Sequence, residues 1–366
     1  MSKRFSKYGE MKVMSRFYGV LILGIIACVM AFVSSTRAQQ GEQIVNISQN
    51  VENTQETQKN VLPLQAGQYD EAYDYYVQGY YVKAFRAALM RAKQNDPIAQ
   101  TLIGRMYMEG YIGPVDGKQA VLWFKHAADQ GDPQAQLRYG LMLFDGTFTE
   151  KNINLAEEFI RKAMNAGVRE AYFYSGQIHL YKAMHEKKES DEAGEDSIKE
   201  VDVKNKKNES IEQALIWFLK GASLGDPEAA FAAAKILSVG TLTMPKNDGN
   251  ARRLLEAAAQ NKHLMAQFIL AQWLLQGRGG ENDFQRAFDL LLDNANKNIV
   301  VAQVSLARLY RDGVGTSKDP ITAAAWYLIA KGQKAKIADL ETMIKGMDET
   351  QLQKAMQKAK KLTYRL

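Results

Sequence analysis

The sequence predicts an all-α protein built as a tandem array of about six two-helix units, closed by a helical cap. Three observations carry this. Alanines recur at Ala99, Ala135, Ala171, Ala229, Ala266 and Ala302, at steps of 36, 36, 58, 37 and 36 residues. A second series runs Ala84, Ala120, Ala156, Ala214, Ala251, Ala287 and Ala323, and each of its first six members lies 15 residues before an alanine of the first. Large apolar pairs hold one fixed slot: Trp123-Phe124, Phe159-Ile160, Trp217-Phe218, Leu254-Leu255, Leu290-Leu291 and Trp326-Tyr327. A constant period of this size is the mark of stacked supersecondary units, none of which can bury its apolar face alone.

In chain order, residues 1–38 read as a signal peptide or signal anchor. Lys3, Arg4, Lys7, Lys12 and Arg16 precede an apolar run from Phe17 to Val33, followed by Ser34-Ser35-Thr36-Arg37-Ala38. Three outcomes stay open. Cleavage after Ala38 leaves a mature start at Gln39 and a periplasmic or secreted protein. Retention of residues 17–33, short for a span, leaves an inner-membrane anchor facing the periplasm. The stretch Ile25-Ile26-Ala27-Cys28 also resembles a lipobox, although the apolar Val29–Val33 that follows is unlike a lipoprotein start. Cys28 is the only cysteine, which excludes an intramolecular disulfide framework and any multi-cysteine zinc site. Residues 39–66 hold 11 Gln or Asn and no aromatic residue, and read as a flexible tether.

Residues 67–345 form the array. Tyr69 to Asn95 supply a tyrosine-rich starter pair. In each unit a helix A, with apolar residues such as Leu102, Ile103, Met106 and Tyr107, is followed by a helix B carrying the large apolar pair. Gly104, Gly140, Gly176, Ala234, Ala271 and Ala307 share one position, which suggests two helix backbones in close approach. The step of 58 contains an insertion near 185–209 with nine acidic and six basic residues, expected to be a mobile loop or an extended polar helix. Residues 346–366 read as a basic capping helix, started by Asp348 and Gln351. Leu352, Met356, Ala359 and Leu362 lie on its apolar side, and Lys354, Lys358, Lys360 and Lys361 mostly elsewhere.

The stretch AQTLIGRMYMEG with AVLWFKHAADQG in the first unit, and LARLYRDGVG with AAAWYLIAK in the sixth, resembles the Sel1-like repeat family, a relative of the tetratricopeptide repeats. The likeness covers about residues 70–331; the fourth and fifth units lack the tryptophan. It implies a right-handed α-solenoid acting as a non-catalytic protein-interaction scaffold, with helices A lining a concave face. By analogy with tetratricopeptide geometry, one inward row is Thr101, Leu137, Phe173, Phe231, Phe268 and Val304. The other is Arg105, Leu141, Gln177, Lys235, Gln272 and Arg308. The candidate partner-binding residues are accordingly Phe173, Phe231 and Phe268 as an apolar strip, flanked by Arg105, Lys235 and Arg308. Such a strip suits an extended acidic-aromatic peptide; the same aromatics could equally serve packing alone. Bacterial envelope members of the family include periplasmic regulators of signalling, and a host-facing surface protein is the alternative. Family members with β-lactam-directed activity carry a cysteine pair in each repeat, which this chain lacks.

Signs of catalysis are thin. His126, His179, His185 and His263 form no i, i+4 metal pair and no HExxH motif. Gly313 to Lys318 lacks the spacing of a phosphate loop, and no G-x-S-x-G elbow occurs. No cofactor is expected. The net charge of +6 divides into +5 over residues 1–38, −4 over 39–330 and +5 over 331–366. The body of the chain therefore lacks the broad cationic footprint that nucleic acid requires.

Overall fold

The computed structural model describes residues 70–190 and 197–363, and for 186–190 and 197–204 the course of the backbone alone. The leader with Cys28, the tether and residues 191–196 of the insertion lie outside the described residues. The described chain holds sixteen α-helices and no strand. It divides into two compact units, the division falling between Phe159 and Ile160.

In the first unit, α1 (Glu71–Val77) and α2 (Tyr81–Ala92) are the starter pair, followed by α3 (Pro97–Glu109) and α4 (Gly117–Asp129). Then come α5 (Pro133–Asp145) and α6 (Ile153–Asn165), within which the second unit begins. That unit continues with α7 (Glu170–Ser190), α8 (Ser197–Ser223), α9 (Pro227–Val239) and α10 (Asp248–Gln260). It ends with α11 (Leu264–Gln276), α12 (Phe284–Asn296), α13 (Val300–Asp312), α14 (Pro320–Gly332), α15 (Ala338–Lys345) and α16 (Glu349–Thr363). Within each unit, successive helices pack against one another, and α16 folds back on α14.

Local chemistry explains where the helices start and stop. The dipeptides Asp96-Pro97, Asp132-Pro133 and Asp226-Pro227 open helices A: the carboxylate accepts first-turn N–H groups, and proline tolerates the turn that lacks donors' partners. Asp116, Asn247, Asp283 and Asp319 cap helices B in the same way. Helix α3 ends on Gly110, whose φ of 67° only glycine adopts without strain.

All thirteen alanines of the two series are at most 1% exposed. A methyl group is what fits between helices this close, so the period in the sequence is the period of the helix contacts. In each apolar pair the second member is deeply buried: Phe124, Ile160, Phe218, Leu255, Leu291 and Tyr327 are at most 2% exposed, and in the last pair Trp326 is buried as well. The small-residue row has a different cause from the one expected. A Cβ on Gly104 would lie 3.0 Å from the Phe124 ring, and one on Gly176 would overlap Phe218. At these two positions a helix B aromatic ring, not a second backbone, rests on the bare Cα.

A glutamine after the first alanine adds a polar tie that the alanine period conceals. Gln100, Gln136, Gln267 and Gln303 each donate from Nε2 to a backbone carbonyl eight residues earlier, at 3.2–3.4 Å. These carbonyls belong to the end of the preceding helix B, where helices leave acceptors open.

The insertion lengthens helices. Helices α7 and α8 have 21 and 27 residues, against 13 in most others, and they pack together along their length. At the C-terminus, the cap begins as expected: Asp348 Oδ1 accepts from Gln351 N at 2.8 Å, and Gln351 Oε1 accepts from Asp348 N at 3.2 Å. Two details differ from the sequence expectation. An extra short helix, α15, precedes the cap, and Met356 is 51% exposed while Ala355 is fully buried. The close approach of α16 to α14 admits an alanine methyl on the contact line and turns the bulkier methionine outward.

Candidate functional site

The candidate residues lie on helices A. Arg105, on α3 in the first unit, donates from Nε to Glu109 Oε1 at 2.8 Å and lies 5.1 Å from the centre of the Tyr76 ring. The Tyr76 hydroxyl donates to Glu109 Oε2 at 3.1 Å. Burial opposes ionisation of Glu109, but hydrogen bonds from Arg105, Tyr111 and Tyr76 outweigh it and hold the carboxyl below its ordinary value. Burial, reinforced by Glu109, pushes the Tyr76 phenol well up. The result is a fixed acid–base–aromatic cluster, extended by Tyr81 and Tyr111, whose rings stack at 4.1 Å.

Beside it, α3 and α5 frame a groove of about 210 Å³. Met108, Leu141 and Met142 supply apolar lining, and the charged lining is balanced: Arg105 and Arg138 stand with Glu109 and Asp145, Arg105 being paired with Glu109. Arg138 is exposed and makes no ion pair among the described residues. The groove carries Arg105 and Leu141 of the second predicted row. Arg138, Met108 and Met142 were outside both rows, because assigning one residue per turn to a face overlooks the flanking positions that border a groove.

In the second unit the predicted strip is not continuous. Phe173 is half-buried, 5.7 Å from the Phe218 ring and 5.2 Å from Tyr174. Phe231 is half-buried, with its ring 4.5 Å from His263 and 5.8 Å from Lys235 Nζ. Phe268, by contrast, is only 8% exposed and belongs to the core, so it presents little to a partner. The aromatic slot is therefore shared between packing and surface, repeat by repeat. Lys235 is exposed.

Arg308 is engaged within the chain. Its Nε and Nη2 donate to the two oxygens of Asp339 at 3.0 and 2.9 Å, and Arg311 Nη1 joins them at 2.7 Å. The bond from Arg308, seconded by Arg311 against a smaller burial effect, holds the Asp339 carboxyl far below its ordinary value. Glu109 could have been paired with Arg105 from their four-residue spacing on one helix. Asp339, 31 residues from Arg308 and on a helix the pattern did not reveal, carries no such local signal.

A wider cavity of about 550 Å³ lies at the end of the second unit, lined by Trp326, Tyr310, Leu362, Asp319, Thr322 and Lys358 among others. Lys358 Nζ sits 3.2 Å from Asp319 Oδ2 and also meets the Thr322 hydroxyl, so its charge is already answered. Of the histidines, His126 is exposed, His179 half-buried, and His185 stacks on Tyr181 at 3.8 Å. Among the described residues no three His, Cys, Asp or Glu side chains converge on a metal-sized site, and no helix is long and apolar enough to cross a membrane.

A family model described as Sel1 repeat matches residues 97–132, 133–168, 206–226, 227–263, 264–292 and 300–333, together more than half of the chain. The crystal structure of a Sel1 repeat protein from Oxalobacter formigenes is similar, with a TM-score of 0.58 and 26% identity, over 72% of this chain and 98% of that one. Chitin synthase regulator SKT5 from Saccharomyces cerevisiae is 26% identical over 63% of this chain and 32% of its own length. The Sel1-repeat-containing protein YjcO from Escherichia coli K12 is 32% identical over 32% of this chain and 52% of its own. The chain thus spans from a third to about half the length of these two relatives.

Proposed function

The chain belongs to the Sel1 repeat family, and we propose that it is a non-catalytic scaffold that docks an extended acidic, apolar-bearing segment of a partner protein on its helix-A face. Proteins of this family generally mediate protein–protein interaction, which sets the class. The observation that carries the finer reading is the α3–α5 groove: an apolar lining beside the exposed, unpaired Arg138. Apolar contact supplies affinity there, and an unanswered guanidinium selects a carboxylate. A basic leader followed by an apolar run supports placing this scaffold in the cell envelope, in the periplasm or tethered to the membrane through residues 17–33. The regulator role named for the yeast relative is consistent with such a scaffold.

The test is cross-linking capture from envelope fractions with the full chain and with Arg138→Glu, both first shown to be folded by circular dichroism. A partner retained by the native chain should be lost from the variant. Equal capture by both would show that the groove is not the docking site. Fractionation with N-terminal sequencing tests the location, with a mature start at Gln39 expected for a released periplasmic protein.

A further inference from the structure

Aspartates cap the helices A of three repeats. Asp96, Asp132 and Asp226 each accept first-turn backbone N–H groups at the start of α3, α5 and α9. Helix α11 departs from this. Its cap is His263, whose Nδ1 accepts from Ala266 N at 3.0 Å. The other ring nitrogen, Nε2, lies 3.3 Å from Glu228 Oε2, and the side chain is 8% exposed.

An imidazole nitrogen that accepts a backbone N–H must present a lone pair, so the ring proton resides on Nε2 and points to Glu228. The Glu228 carboxyl is correspondingly held below its ordinary value, chiefly by this hydrogen bond. The next proton has only Nδ1 to occupy. There it would face the Ala266 N–H, donor against donor, and abolish the cap. The cation would also sit at the positive end of α11. It would lie against the Phe231 ring, which already has Lys235 Nζ at 5.8 Å. Lys262, next in the chain, adds further positive charge; α11 and the last turn of α10 contain no charged residue. Glu228 and the Phe231 ring favour the cation, but the Glu228 side chain is 59% exposed, so water screens its attraction.

We propose that His263 makes the joint between the fourth and fifth repeats proton-sensitive: protonation of the imidazole releases the first turn of α11 and loosens the ring that covers Phe231. Imidazole is the side chain whose charge ordinarily changes between about pH 5 and 8. This concerns the joint itself and stands whether or not the helix-A face binds a peptide.

Amide hydrogen exchange of the full chain, corrected for the intrinsic effect of pH, tests it at about pH 7.5 and about pH 5.5. Protection at the start of α11, at Ala266 above all, should fall on the order of tenfold in acid, as expected for loss of a helix cap. The first turns of α3 and α5 should not change. His263→Asn, which can cap without titrating, should remove the drop; His263→Ala should show low protection at both values. Unchanged protection at Ala266 in the native chain, or the same drop in His263→Asn, would overturn the proposal.

Discussion

Arg91 shows how much a single side chain holds at the start of the array. It is 9% exposed, and its guanidinium joins Asp96, the cap of α3, to Asp70, the cap of α1. Arg91→Ala leaves Asp96, 2% exposed, without its counter-charge. The expected loss is about 3–5 kcal/mol, read from urea unfolding, because an uncompensated buried charge costs more than the pair contributes. The glycines facing helix B rings give a graded comparison. A Cβ at Gly104 meets Phe124 at the edge of tolerance, whereas one at Gly176 overlaps Phe218. Gly176→Ala should therefore destabilise more than Gly104→Ala, by about 1–3 kcal/mol. If Gly104→Ala proves the worse of the two, the ring-on-backbone account is wrong.

The helices terminate by side-chain chemistry, and the start at Asp348 and Gln351 was legible in the sequence for that reason. Asp348 and Gln351 form a reciprocal capping box, so Asp348→Ala should cost about 1 kcal/mol and fray α16 first, as hydrogen exchange of its first turn would reveal. Electrostatics then docks the last two helices. Asp339 is held down by Arg308 and Arg311. At Asp319 burial opposes ionisation, but bonds from Thr322 and Lys358 prevail and lower it too. A carboxyl whose folded value lies below its unfolded value stabilises the fold fully above the unfolded value, near pH 3.9, and loses that contribution as pH falls towards the folded one. The exchange protection of α15 and α16 should thus weaken below about pH 4, on the acid side of any response at His263. Asp339→Asn should bring the loosening of α15 to neutral pH. These groups are partly exposed, so added salt should reduce the effect.

At the scale of the molecule, each repeat is stabilised chiefly by its neighbours, so damage should spread along the array from the point of substitution. The two phenylalanines of the predicted strip separate structure from recognition. Phe268→Ala empties a core site and should cost about 3–5 kcal/mol in unfolding measurements. Phe231→Ala, at a half-buried ring, should cost clearly less while removing the surface that Lys235 overlies. Similar losses from both would place Phe231 in the core as well. The charge division also matters at this scale. The central stretch carries −4, so no broad positive field surrounds the array, and the unpaired Arg138 acts only locally.

The sequence by itself determined the helical class, the number of repeats, the period of the alanines and the start of the last helix. Each of these follows from local patterning: helical period, cap chemistry and the constant distance between like positions. The glutamine ties to the preceding helix were equally visible as a residue following the alanine, but their meaning needs the carbonyl they reach. What tertiary structure alone decided is which inward-facing side chains remain available. Phe268 is enclosed by its neighbours, Arg308 is claimed by Asp339 from a helix 31 residues away, and Arg138 is left unpaired beside an apolar groove. The physical reason is the same in all three cases. Exposure and charge pairing depend on groups that adjacent helices bring up from distant parts of the chain, and periodicity within one helix cannot specify them.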